Sequence, residues 1–267
     1  MLTRQHIKAL IAMPSIGLRE SIMPYPAFAL EADQNEMQNA FIEVSNQRFG
    51  HQMESLFIQI IEHMPNYELM IENLQIFDGK NTLGELDFIV KNQTTEKLIH
   101  IELAVKFYIY EPNDIELAGF VGPNHHDSLL DKINKLKERQ FPLLHHKQVK
   151  NMLESLGITS ESIEQLLCFK AFIFVPNDLE LKPFAEINNA CAAGTYIKQE
   201  AFTESDFGAY EFHFPPKTDW ILTPNDSPNW LSFSQAQLLL QSFLEKKNAP
   251  MVWIKNHEGI SRMFIVD

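Results

Sequence analysis

The stretch Gly84–Tyr110, GELDFIVKNQTTEKLIHIELAVKFYIY, decides how this chain is read. Two runs rich in Ile, Val, Phe and Tyr flank a polar NQTTE, the pattern of an antiparallel hairpin. Four charged residues, Glu85, Asp87, Glu102 and Lys106, interrupt the apolar runs at even spacing. Side chains alternate faces along a strand. Ile99, Ile101, Leu103, Val105, Phe107 and Ile109 therefore share one face, the core. His100, Glu102, Ala104, Lys106, Tyr108 and Tyr110 share the other, where polar groups collect. A turn centred on Thr94 and Thr95 sets Asp87 opposite Glu102 and Glu85 opposite Ala104, with Lys106 diagonal to Glu85. Directly opposed side chains point the same way, with Cβ atoms roughly 4.5–5.5 Å apart.

Two facing carboxylates repel, and a cation relieves the repulsion. Oxygen donors so placed suit a hard divalent ion, Mg²⁺ or Mn²⁺. Such an ion polarises phosphate and activates water, and a neighbouring lysine steadies developing charge. The same residues also permit a plainer arrangement, with Lys106 paired to Glu85 on the half-exposed face of an antiparallel sheet. Periodicity leaves both open.

Outward from the hairpin, Met53, Phe57, Ile60 and Met64 recur at steps of three and four, so a helix is expected over about 38–64, ended by Pro65. A strand near 70–77 leads through the turn residues DGKN into the hairpin. A helix is expected over about 127–141, with Leu129, Ile133 and Leu136 inward, and further helix over 147–167. FKAFIFVP at 169–176 reads as a buried strand. Residues 1–37 are expected to form a short helix and an irregular arm. A helix over 233–247 and the short strands PMVWIK and RMFIVD close the chain.

Of the 267 residues, 45% are hydrophobic and 21% charged, enough for a sizeable core without disulfides or a structural metal. The net charge of −13 argues against sequence-independent clinging to DNA but leaves room for a local basic groove. The two cysteines, Cys168 and Cys191, form no CxxC pair, so a reducing, cytoplasmic setting is expected. The run ALIAM before Pro14 is too short for a secretory signal core, and no apolar run approaches the ~18 residues of a membrane span. The pairs His125-His126 and His145-His146 lack both helical i, i+4 spacing and cysteine partners, which argues against zinc. No Walker A, GxGxxG or GxSxG motif is present.

The order helix, three strands, helix, strand, with an acid on the second strand and an acid and lysine on the third, resembles the PD-(D/E)xK nuclease superfamily. The matching residues are Asp87 in GELDFIV and Glu102 and Lys106 in HIELAVKF. Three longer stretches, LGELDFIV, HIELAVKFYIY and GPNHHDSLLDKINKLKERQ, are together similar to the bacterial domain-of-unknown-function family numbered 1853, usually grouped with these nucleases. That similarity is close over roughly 40–140 and weaker towards the C-terminus. It implies an α/β fold with a restriction-endonuclease-like core, a mixed sheet flanked by helices at 38–176, and a C-terminal α+β extension at 177–267 packed on the core. It also implies Mg²⁺ or Mn²⁺ held by Asp87 and Glu102, helped by Glu54 of the first core helix or by Glu85. Lys106 and Gln140 complete the implied catalytic set, and a metal-bound water attacks a nucleic-acid phosphodiester. Lys132, Lys135 and Arg139, in the one clearly basic region, would follow the phosphate backbone of DNA or RNA.

One departure stands out. The superfamily lysine normally lies two residues after the acid, where this chain has Ala104; Lys106 lies four after Glu102, roughly 13 Å along a strand. The expected function is accordingly a metal-dependent phosphodiesterase, with a catalytically inactive nuclease-fold binding or scaffold protein as the alternative.

Overall fold

The computed structural model describes residues 2–31, 48–113, 115–178, 182–225 and 229–267. In chain order the elements are α1 (Arg4–Ala12), α2 (Phe49–Glu62), β1 (Tyr67–Asp78), β2 (Asn81–Asn92), β3 (Leu98–Tyr110), β4 (Phe120–Val121), α3 (Leu129–Lys135), a π turn (Leu136–Gln140), α4 (Phe141–Leu143), α5 (Lys147–Ser155), β5 (Glu164–Pro176), β6 (Ala192–Lys198), α6 (Glu204–Phe207), β7 (Glu211–His213), α7 (Phe233–Leu244), β8 (Met251–Asn256) and β9 (Gly259–Val266). The fold class is mixed α/β. Among the described residues no helix is long and apolar enough to cross a membrane.

The chain divides into two compact units, one of Met1–Lys106 with Asp131–Lys170 and one of Phe107–Leu130 with Ala171–Asp267. In the first, β1, β2 and β3 form an antiparallel meander and β5 lies next to β3. Gly79, with φ of 60°, opens the two-residue loop between β1 and β2; a left-handed residue at that position is what a II′ hairpin turn requires. The second hairpin turns where the sequence places it. Asn92 Oδ1 accepts from the N–H groups of Thr94 and Thr95, both at 3.0 Å, and the ladder runs from Lys91↔Leu98 to Phe88↔Ile101. One step further, that register faces Asp87 with Glu102.

Helix α2 presents Met53, Leu56, Phe57, Ile60 and Ile61 inward, the expected three-and-four stripe. Its Phe57 ring lies 4.6 Å from that of Phe88 on β2. The expected helix residues 38–47 lie outside the described residues. Leu143, Leu144, Val149 and Leu153 of the α4–α5 region bury against Ile76, Leu86 and Ile89 of β1 and β2. Gly84 permits that approach, since a Cβ there would stand 2.9 Å from Leu143 Cδ2.

Two expected helices differ. The one over 127–141 is interrupted by the π turn, in which the Phe141 N–H reaches the Leu136 carbonyl, and continues to Leu143. The one over 147–167 stops at Ser155, with Gly157 in the left-handed region at φ 74°. Strand β5 already begins at Glu164, and every residue from Leu167 to Val175 is buried. A strand buried on both faces shows no alternation, so its sequence cannot be told from buried helix by periodicity alone. Beside it, the segment after α1 makes single bridges Ser15↔Lys170 and Ala27↔Leu167. The buried Lys170 ammonium donates to the Met13 carbonyl at 2.8 Å and the Ile11 carbonyl at 3.4 Å. A cation at a helix C-terminus is favourable because the last carbonyls of α1 carry partial negative charge.

The second unit holds the mixed sheet. There β5 pairs parallel with β6 and β6 with β9, while β9–β8 and β8–β7 are antiparallel. Helix α7 covers one face, packing Phe233, Ala236 and Leu240 against Phe212, Val252, Ile254, Met263 and Ile265. Ser232 and Gln235 form a capping box at its start, which satisfies N–H groups the first turn leaves open. Strands β8 and β9 are the two closing strands expected from sequence; β6 and β7 lack a comparable signal there. Both cysteines are free and buried.

Candidate functional site

Within the first unit, polar residues of β2, β3, α3, the π turn and β5 converge on Glu102. Of the two arrangements left open for the polar face of β3, the half-exposed one is not found at His100 and Glu102: both are fully buried, each at 0% exposure. The Phe141 ring, at the start of α4, meets the His100 ring edge-on at 5.7 Å, and Tyr25 stacks on Phe141 at 3.7 Å. That cover turns an ordinary polar strand face into a low-dielectric site.

A buried carboxylate needs donors, and Glu102 has them on both oxygens. His100 Nε2 donates to Oε1 at 3.0 Å, and Gln140 Nε2 donates to Oε2. Gln140 Oε1 in turn accepts from Lys132 Nζ at 2.8 Å. Gln165, on β5, gives one amide hydrogen to the Phe141 carbonyl at 2.8 Å and the other to His100 Nδ1 at 3.1 Å. Two chains of donors, Lys132–Gln140 and Gln165–His100, thus end on Glu102. Beside it, Asp87 Oδ2 accepts the Leu103 N–H at 2.9 Å, so a side chain takes the place of a backbone acceptor where the β2–β3 ladder ends.

The electrostatics follow from burial and proximity. Burial, then the charge of Glu102, pushes the Asp87 carboxyl up to about 8. Burial also raises Glu102, to about 7, against the pull of Lys132. The two carboxyls, both raised, behave as one titrating pair. Burial lowers the Lys132 ammonium to about 8, opposed by the attraction of Asp87 and Glu102. Burial likewise lowers His100 to about 4. At neutral pH the imidazole is neutral, in agreement with Nδ1 accepting and Nε2 donating.

The structure therefore brings together Asp87, Glu102, Gln140 and Lys132. Of the lysines, Lys132 acts most strongly on both carboxyls. It comes from α3, and Lys106 is near enough for its charge to lower Lys132. Glu54 on α2 raises Asp87 through its charge, while its own carboxylate accepts from His51 Nδ1 at 2.9 Å. Glu85 is half-buried and stands opposite Gln75 in the β1–β2 ladder. Lys135 is exposed and lowers Glu102 by its charge; Arg139 is exposed on the π turn.

Sequence reasoning assigned no role to His100 or Gln165. His100 had a signal, two residues before Glu102 on the same strand face. Gln165 had none, because its segment read as helix.

Among the described residues, no group of three or more His, Cys, Asp or Glu side chains is arranged to hold a metal ion. Asp87 and Glu102 offer two carboxylates, and Mg²⁺ commonly takes only one or two from protein, with waters and substrate phosphate completing its shell. Asp87 and Glu102, two buried carboxyls facing each other, meet that minimum in number.

A family model described as "Domain of unknown function (DUF1853)" matches residues 17–266. The chain belongs to the DUF1853 family. The match takes in both units of the DUF1853 chain and reaches well beyond the stretch over which the sequence similarity looks close. No curated protein and no solved structure matches it.

Proposed function

We propose that this DUF1853 protein is a metal-dependent phosphodiesterase acting on nucleic acid, with a restriction-endonuclease-like first unit. The observation that carries the reading is the buried Asp87–Glu102 pair with Lys132 held beside it through Gln140. Asp87 and Glu102 would hold a Mg²⁺ or Mn²⁺ ion, which would supply Lewis acidity towards a phosphodiester and its attacking water.

The chain's own residues then divide the work. Leu103 N–H fixes one oxygen of Asp87. His100 and Gln140 fix the Glu102 carboxylate from both sides. Lys132 takes the post that the motif spacing leaves empty at Ala104, and its ammonium stabilises negative charge developing on the phosphoryl oxygens. Lys135 and Arg139, exposed on the same helix, meet the flanking phosphates.

One observation favours the alternative of a nuclease-fold protein that binds without cutting: both Glu102 oxygens already accept hydrogen bonds from the protein itself. Cleavage of labelled single- and double-stranded DNA and RNA with Mn²⁺ separates the readings, using wild type, Asp87→Asn and Lys132→Ala. The proposal expects cleavage of at least one substrate by wild type and its loss in both variants. Equal cleavage by Asp87→Asn would refute the mechanism. No cleavage by any protein on any substrate would favour the binding reading.

A further inference from the structure

Gln165 and His100 form a hydrogen-bonded chain ending on Glu102, and the direction of its bonds is informative. A neutral histidine next to a buried carboxyl is ambiguous, because the carboxyl accepts from the ring when ionised and donates to it when protonated. Here the second nitrogen decides. Gln165 Nε2 lies 2.8 Å from the Phe141 carbonyl, which only accepts, so the amide's nitrogen end, not its oxygen, must face this corner. Its other hydrogen points at His100 Nδ1, 3.1 Å away, which must therefore be the bare nitrogen. The proton is left on Nε2, directed at Glu102 Oε1. With the opposite tautomer, a ring lone pair would face a carboxylate lone pair at 3.0 Å inside a dry site, a repulsive contact that would turn the carboxylate away.

From this arrangement we infer that Gln165 is a positioning residue: by anchoring on the Phe141 carbonyl it locks His100 as a one-way donor, which holds the Glu102 carboxylate in the orientation facing Asp87. The inference rests on the proposed metal-binding role of that pair. It extends the site to β5, a strand contributing no charged group to it, and assigns β5 the register of the carboxylate instead. The logic is that of outer residues orienting a metal ligand, where loss of such a partner typically costs about 10–100-fold in metal affinity.

Two measurements test it. The first needs no variant. In protein labelled with ¹⁵N-histidine, His100, assigned through its contact with the Phe141 ring, is expected to show one protonated nitrogen, Nε2, and a bare Nδ1. A protonated Nδ1 in wild type would overturn the inference. The second is the Mn²⁺ dissociation constant, by calorimetry, of wild type and Gln165→Met, a change that keeps chain length and removes both donors. Gln165→Met is expected to lose the single tautomer and to bind Mn²⁺ about 10-fold or more weakly, with the metal-free melting temperature retained within a few degrees. If wild type binds Mn²⁺ and Gln165→Met binds it equally well, the positioning role fails while the metal site stands. If wild type binds no Mn²⁺ despite the expected tautomer, the proposed function fails and takes the inference with it.

Discussion

Replacing Asp87 by Asn should stabilise the metal-free protein at alkaline pH and leave it little changed in acid. The ordinary pKa of this carboxyl is 3.8, and burial together with Glu102 carries it to about 8. Between those values the native state binds a proton that the unfolded chain has released, so stability falls as pH rises across the window. Each tenfold change in proton affinity is worth ~1.4 kcal/mol, which puts the cost to the native state on the order of 5 kcal/mol by pH 8, spread over both members of the pair. Asn retains an oxygen to accept the Leu103 N–H and turns an N–H₂ group, not a charge, towards Glu102. Recovering roughly half of that cost, at about 2–4 °C per kcal/mol for a chain near this size, raises the melting temperature by on the order of 5–10 °C at pH 8. The gain should shrink steadily to nothing near pH 4. Thermal melts from pH 4 to pH 8.5 in chelator measure it. Adding Mn²⁺ at pH 8 should raise the wild-type midpoint and leave that of Asp87→Asn where it was. A variant that melts at or below wild type at pH 8, or gains equally at pH 5 and pH 8, would show that the two carboxyls are not opposed in the fold.

Three further outcomes follow from the same contacts. Lys132→Met should fold, bind Mn²⁺ more tightly because a competing cation is gone, and lose about 100-fold or more in cleavage rate; unchanged cleavage would remove Lys132 from the chemistry. Gln140→Leu leaves Glu102 Oε2 without its donor and parts Lys132 from the acids, so a stability loss of about 1–3 kcal/mol should accompany loss of cleavage, read by denaturant titration and turnover. Lys170→Met strips the end of α1 of its donor; hydrogen exchange in α1 should quicken markedly while the β2–β3 hairpin stays protected, and uniform loosening of both would contradict the assigned role.

The hairpin was legible because it is local. The turn at Thr94–Thr95 and strict two-residue alternation fix which residues of β2 face which of β3, and the observed Phe88↔Ile101 pairing is that register. The stripe of α2 and the closing strands β8 and β9 were legible for the same reason, each carrying its own period or turn. What escaped depends on residues far apart in sequence. Glu102 is buried beside His100, whose ring meets Phe141, itself stacked on Tyr25, and nothing in HIELAVKF announces partners so distant along the chain. Lys132 read as part of a basic helix face following a phosphate backbone, because its neighbours Lys135, Lys137 and Arg139 are basic too. Gln165 was hidden by a strand buried on both sides, whose composition reads equally well as helix. The difference between a charged sheet face and a buried cluster of carboxyls is thus carried by tertiary cover, which periodicity does not encode.

The wide turn at Leu136–Gln140 has a consequence for how the chain can vary in length. In a regular helix, residues eight apart stand about 80° apart around the axis, whereas residues seven apart nearly eclipse. Lys132 and Gln140 are eight apart and yet hydrogen-bonded, because the π turn absorbs one residue between them. Loss of one residue from 136–139 would therefore relax the segment to plain α-helix with the pair still aligned, while gain of one would swing Gln140 away from Glu102 by about 100°. Related chains that keep this amide–ammonium pair should accordingly show the helix one residue shorter far more often than one residue longer.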